Sequence, residues 1–157
     1  MSKFQLKNFF KAAYDLILVI LQFFIISLHF FTWEFFPQKQ IIQASPFSYF
    51  LGILIIIIAF IIMLVSIKDL GRNLSPFPIP KNNSNLVTTG IYRFTRHPMY
   101  YSLIFISIGV FLIKLSIYYL FLTTGLALII KFKIALEEKY LMNKFKNYLL
   151  YKNAVKI

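Results

Sequence analysis

The sequence predicts an all-α integral-membrane bundle of four transmembrane helices, with a helical hairpin made of the third and fourth spans and a cytoplasmic amphipathic C-terminal helix. Two observations about composition point there. The 157 residues are 59% hydrophobic with a mean hydropathy of +0.73, whereas soluble domains are about 45–50% apolar. Several apolar stretches also reach the roughly 20 residues that a membrane helix needs. The length fits one domain over residues 1–157.

The first two spans are visible as long apolar runs. Residues 13–36 form the first, and no small-residue cleavage pattern follows directly, so the run is kept as a helix and not a signal peptide. His29, inside this span, is expected to bond to another helix. Residues 46–67 form the second span, and Pro46 fits its first turn because its missing N–H is not needed there. The polar residues 68–97 then predict a loop between the second and third spans.

The third apolar block is too long for one helix. Residues 98–135 would extend about 57 Å at 1.5 Å per residue, well beyond a hydrocarbon core of about 30 Å. The block must therefore fold back, and Lys114 and Ser116 mark the turn. This predicts a hairpin of two spans, residues 98–113 and 116–135.

Basic residues set the orientation and the expected surroundings. The chain has 17 Lys and Arg against five acidic residues, a formal charge of +12. All but Lys39 and Lys114 fall on one side of the predicted topology, so both termini are expected to be cytoplasmic. Residues 136–152 show helical apolar spacing on a basic background, which predicts an amphipathic helix. Membrane lipids with anionic headgroups are the expected partners of these basic residues, and nucleic acid is not expected as a partner.

Two polar clusters are the candidates for chemistry. Residues 89–102, "TGIYRFTRHPMYYS", place Arg93, Arg96 and His97 at the start of the third span. Free N–H groups at a helix N-terminus favour an anion. Glu137–Glu138 follow the fourth span, and an antiparallel hairpin would bring them to the same membrane face. Such a pocket suits a charged, aromatic, water-soluble small molecule. The sequence shows no metal-ligand spacing and, having no cysteine, no thiolate site.

Three stretches together resemble a known family. They are "LGRNLSPFPIP" (70–80), "LVTTGIYRFTRHPMY" (86–100) and "EEKYLMNKF" (137–145). The pattern Gly-x-Tyr-x-x-x-Arg-His-Pro-x-Tyr in the second stretch is long and specific. The chain resembles the isoprenylcysteine carboxyl methyltransferase-like family, which belongs with the phospholipid N-methyltransferases among small integral-membrane methyltransferases. The first two helices match only as hydrophobic spans.

This resemblance implies S-adenosylmethionine as the methyl donor, bound at the cytoplasmic face. The donor-binding residues that it implies are Ser84, Asn85, Leu86, Val87, Tyr92, His97, Pro98, Met99, Tyr100 and Glu137. In the prenylcysteine enzymes, an arginine four residues before this glutamate faces the substrate carboxylate. Lys133 occupies that position here, and it is cationic but cannot form the bidentate fork of an arginine. Ser102 likewise replaces a glycine that the family often shows.

The expected activity is methyl transfer to a lipidic or small hydrophobic acceptor, with a carboxylate as one candidate group. A carboxylate is ionised at neutral pH and needs no general base, whereas an amine must lose a proton. Lys133 or Arg96 is therefore expected to steer an anionic acceptor as a catalytic residue. Two alternatives stay open: a membrane reductase that uses a nicotinamide cofactor, since sterol reductases carry a related C-terminal pattern, and a non-catalytic membrane protein of the same fold.

Overall fold

A computed structural model describes residues 3–31, 41 and 43–155 of the chain. It contains five α-helices: α1 (Lys3–Phe31), α2 (Pro46–Leu70), α3 (Pro98–Lys114), α4 (Ile117–Lys144) and α5 (Tyr148–Ala154). Short 3₁₀ turns lie in the α2–α3 connection. The described residues include no β-strand, so the predicted all-α class is confirmed.

Three helices are long and apolar enough to cross a membrane, and they are α1, α2 and α4. Large side chains on their surfaces, such as Phe24, Phe60 and Phe121, are exposed, as expected for groups that face lipid. The fourth apolar helix, α3, has 17 residues and extends about 26 Å at 1.5 Å per residue. By the same rise α4 extends about 42 Å, longer than a hydrocarbon core of about 30 Å, so part of it must lie outside the core.

Local sequence explains where the helices begin. The Ser45 hydroxyl accepts a hydrogen bond from the Ser48 N–H at 3.1 Å, which caps α2 at the proline that follows. Between α3 and α4, Leu115 adopts a left-handed backbone conformation with φ 42°, and Ser116 caps α4. The chain therefore reverses within two residues, and the predicted hairpin is confirmed.

The C-terminal region differs from the expected single amphipathic helix over residues 136–152. The fourth helix does not stop at Ala135 but continues to Lys144, because the sequence after Ala135 is rich in strong helix formers and has no glycine or proline. A turn over residues 145–147 then leads into α5. The expected helix is thus divided between the end of α4 and α5. The end of the predicted first span lies outside the described residues.

Helices α2 and α3 cross at two glycines. A Cβ atom on Gly109 would lie 2.7 Å from the Gly52 carbonyl oxygen and 2.6 Å from Ile56 Cγ1. Without side chains at these positions, the two backbones approach closely, which is the usual way for membrane helices to gain packing energy. This contact holds the start of α2 against the end of α3, and because the two helices run antiparallel, the end of α2 lies beside the start of α3 at the other end.

The first helix packs against α4, and at His29 against α3, through a polar seam, by which we mean Asp15, Gln22, His29 and their partners. These three residues recur every seventh position, which keeps them on one helical face. Their hydrogen-bond partners are, in that order, Tyr140, Lys133 and Ser107. His29 Nε2 lies 2.8 Å from Ser107 Oγ, as expected for an interhelical histidine. The seam sets the register of α1 along α4.

We expect the glycine crossing to be sensitive to a single methyl group. Gly109→Ala should lower the free energy of unfolding by about 1–3 kcal/mol, because the added Cβ would overlap backbone that cannot move aside. Chemical unfolding in detergent measures this. Gly125→Ala is the matched control, because its Cβ would meet only the flexible end of Ile25 at 3.3 Å. Equal stability of the two variants would contradict the proposed close crossing.

Candidate functional site

The candidate site lies at one end of the bundle, which we call the site end. The antiparallel packing brings together the C-terminal ends of α2 and α4 and the N-terminal end of α3. The segment between α2 and α3 folds over these ends, and α5 packs beside it. Both polar clusters predicted from the sequence therefore meet at the site end.

The Gly-x-Tyr part of the motif forms a 3₁₀ turn over Gly90–Arg93. Gly90 has φ +61°, and a Cβ atom there would collide with the Asp69 carboxylate. That carboxylate accepts a hydrogen bond from the Ile91 N–H at 2.8 Å. Asp69 thus ties the turn to the end of α2 and directs Tyr92 into the protein, a role that the sequence alone did not indicate.

The loop before this turn is held by the end of α4. Lys144 Nζ donates to the carbonyl oxygens of Lys81 and Asn82 and to Ser84 Oγ, the last at 2.8 Å. The Asn73 side chain accepts from the Asn85 N–H at 3.1 Å. These bonds fix Ser84 and Asn85, the first two of the four loop residues (84–87) predicted to bind the donor.

Two adjoining cavities occupy the site end, with volumes of about 80 and 60 Å³. The larger is lined by Ser84, Asn85, Leu86 and Val87 together with Tyr148 and Tyr151. The smaller is lined by His97, Met99 and Tyr100. Tyr92, Arg96 and Glu137 line both.

Nine of the ten predicted donor contacts therefore line a cavity. The tenth, Pro98, is buried as the first residue of α3 and lines neither. Glu137 is central to the arrangement, because it comes from α4 yet faces the motif from the wall of both cavities. Its carboxylate lies beside the Tyr100 side chain, which lines the smaller cavity.

The neighbouring carboxylate, Glu138, has a different environment. Its Oε1 lies 2.9 Å from Arg96 Nε, and its Oε2 lies 2.7 Å from Lys152 Nζ. His97 Nε2 is 3.5 Å from Oε1 and has no hydrogen-bond partner within the described part of the chain. Glu138 does not line either cavity. Glu138 links the motif to α4 and α5, and this linking role was not predicted from the sequence.

Arg96, one of the two residues expected to steer an acceptor, is already engaged by the protein. Besides its bond to Glu138, its guanidinium donates to the backbone carbonyl oxygens of Lys152 and Val155. It lines both cavities while holding the C-terminal residues in place. These contacts give Arg96 a structural role at the cavity wall.

Lys133, the other such residue, is almost fully enclosed, with 1% of its surface exposed. Its ammonium group donates to the Gln22 side-chain oxygen and, at 3.0 Å, to the Pro76 carbonyl oxygen. It also lies 5.3 Å from the centre of the Tyr100 ring. Lys133 therefore sits behind a cavity wall and not in the cavity. Gln22 was not among the functional residues predicted from the sequence, although a polar residue inside an apolar span often indicates a functional contact.

Three tyrosines on the cavity walls are held as neutral phenols. Burial, with a smaller effect of the Glu137 carboxylate, raises the pKa of Tyr92 well above its usual range. Burial also raises the pKa of Tyr148 strongly and that of Tyr151 to about 12. The Tyr151 hydroxyl donates to the Tyr92 carbonyl oxygen at 2.6 Å. These groups can donate hydrogen bonds at neutral pH but cannot serve as bases.

Comparison with known proteins agrees with this geometry. Residues 47–148 match the family model described as phospholipid methyltransferase. The chain is also 32% identical over 129 residues to the protein-S-isoprenylcysteine O-methyltransferase of Saccharomyces cerevisiae (strain ATCC 204508 / S288c). That match covers 76% of this chain and 53% of the relative, so the chain spans about half the length of the curated relative. No solved structure gives a significant match.

The matched region contains α2, α3, α4 and both polar clusters of the site, whereas α1 precedes it. The resemblance predicted from the sequence motifs is confirmed. Together with the apolar helices, the match identifies an integral membrane protein. The chain belongs to the phospholipid methyltransferase family.

Proposed function

We propose that this protein is an S-adenosylmethionine-dependent methyltransferase that acts on a lipidic acceptor. One observation supports the proposal most directly: Glu137 of α4 and Tyr92 of the motif line the same two cavities. Residues from distant parts of the chain thus converge on one pocket. The family of the chain supplies the reaction class.

The lining of the larger of these two cavities suits the donor in its chemistry. Its wall combines apolar groups, backbone and amide groups of the 84–87 loop, and a carboxylate. A nucleoside can be bound by the first two, and the Glu137 carboxylate favours a cationic centre. Moreover, His97 Nε2 and Tyr148 Oη are buried without a partner among the described residues. Buried polar atoms normally bond to something, and both residues line the cavities.

When bound, the donor supplies a methyl group activated on a sulfonium, and transfer to a carboxylate oxygen leaves a thioether and an ester with no proton to move. The protein's residues need only bind, orient and exclude water, and orientation can contribute about 7–11 kcal/mol. The neutral tyrosines offer no base. Among the described residues that line the cavities, His97 and Glu137 are then the candidate bases, and an acceptor that is already anionic needs neither.

A hydrophobic acceptor is the natural match for this location. The curated relative is named for an S-isoprenylcysteine substrate, which joins a lipid chain to a carboxylate. In this protein the lipid chain would lie among the apolar helices, and the carboxylate would approach the Lys133 side of Tyr100. We further propose that the site end and both termini are cytoplasmic, because the basic residues concentrate there.

A transfer assay with the purified protein addresses the reaction itself. We expect protein in detergent or nanodiscs to transfer labelled methyl from S-adenosylmethionine to N-acetylated S-isoprenylcysteine, giving a base-labile methyl ester. Base-stable label in a membrane lipid extract would instead indicate an amine acceptor. Binding of a reduced nicotinamide cofactor, with no binding of S-adenosylmethionine, would favour the reductase alternative and overturn the proposal.

The two adjacent glutamates should respond differently to substitution. Glu137→Gln removes the carboxylate that faces the donor, so we expect donor affinity to fall about 10–100-fold, as for loss of a bond to a charged group. Its stability should change little. Equilibrium binding of labelled donor measures the affinity, and chemical unfolding in detergent measures the stability.

Glu138→Gln serves as the matched comparison, since it changes the same group one position along the helix. It weakens the contacts to Arg96 and Lys152, so we expect a loss of about 1.5–3 kcal/mol in unfolding free energy. The reverse pattern, with donor binding lost only in Glu138→Gln, would contradict the assignment of the two roles.

A further inference from the structure

The ammonium group of Lys133 is a buried charge held by neutral oxygens. Its hydrogen-bond acceptors are the Gln22 carboxamide and the Pro76 carbonyl. Within the described part of the chain, no carboxylate lies within ion-pair distance of it. Burying a charge without a counter-ion is costly, so such groups are usually paired. Glu137, one turn along α4, attracts the ammonium group from beyond ion-pair distance. The charge is therefore compensated only in part, and a further anion could approach it.

The choice of glutamine at position 22 matters to this balance. Gln22 is 6% exposed and lies in the middle of the apolar part of α1. A glutamate of nearly the same shape would form a buried ion pair with Lys133 and cancel its charge. The neutral carboxamide instead fixes the direction of the ammonium group and leaves its charge in place.

The position of this charge relative to the cavities is also informative. Lys133 precedes Glu137 by one helical turn on α4, and its ammonium group lies over the ring of Tyr100, which lines the smaller cavity. An anionic group near Lys133 would therefore be adjacent to the donor pocket on its membrane side. Gln22 belongs to α1, which lies outside the region matched by the family model.

We propose that Gln22 is a positioning residue of the acceptor site: it holds the Lys133 ammonium group in place without neutralising it, and so selects acceptors with an anionic head. This inference rests on the proposed function for the identity of the reaction. The binding preference itself rests on the contacts of Lys133. It gives α1 a part in acceptor choice.

The experiment compares one charged and one neutral ligand. The charged ligand is N-acetylated S-isoprenylcysteine, and the neutral one is its carboxamide, which cannot accept a methyl group through a carboxylate. For Gln22→Glu, we expect the KM of the charged ligand to rise at least about tenfold, since the new carboxylate competes for Lys133. The kcat, the inhibition constant of the carboxamide and the donor affinity should stay near their wild-type values.

Two further variants complete the design. Gln22→Met keeps the volume of the side chain but removes the oxygen, and we expect a KM increase of at least about threefold because the ammonium group loses its anchor. Gln43→Glu adds the same charge at an exposed position before α2, at the other end of the bundle, and should leave all constants unchanged.

A direct binding measurement separates this inference from the proposed reaction. Binding of each ligand is measured by the thermal shift of the protein in detergent. Wild-type protein should bind the carboxylate more tightly than the carboxamide, and Gln22→Glu should lose that preference. If wild type shows the preference but forms no ester, the methyl-transfer proposal is overturned while the role of Gln22 stands. Equal binding of the two ligands by wild type, or a preference unchanged in both Gln22 variants, would overturn the inference. So would a parallel loss of affinity for both ligands.

Discussion

The site end depends on a single carboxylate, that of Glu138. It lies on α4, yet it contacts Arg96 of the motif and Lys152 of α5. Arg96 in turn holds the backbone at Val155. Because these groups are largely withdrawn from water, removing the carboxylate would leave two cations facing each other in a medium of low dielectric constant. Three segments far apart in sequence are thereby joined around the cavities.

Glu137 and Glu138 show how one helix can separate two tasks. Adjacent residues on a helix point about 100° apart, so one carboxylate faces the cavities and the other faces the cationic cluster behind them. From the sequence alone, the roles of the two glutamates cannot be distinguished. In the structure, Glu137 lines the cavities, and Glu138 joins the segments of the wall behind them.

The predictable parts of the fold follow from constraints that act along the chain. The hydrocarbon thickness limits the length of a span, and this limit predicted the hairpin near Ser116. The concentration of polar and aromatic residues around His97 indicated where the candidate site lies. Contacts between side chains on different helices were harder to predict from the sequence. The bond between Asp69 and Ile91 and the bond between Gln22 and Lys133 depend on helix register, which sequence spacing does not specify. The continuation of α4 past Ala135 was also missed, because helix-forming residues prevailed over the change from apolar to basic character.

The length of α4 has a consequence for the geometry of the proposed acceptor. The helix outlasts the hydrocarbon core, so its final turns emerge among the headgroups. Lys133 and Glu137 are separated by one turn, or about 6 Å of rise, and therefore occupy successive levels along the membrane normal. The helix would therefore select acceptors by depth in the membrane. An acceptor whose reactive group lies too deep or too shallow in the bilayer would not reach the level of these two residues, whatever its chemistry.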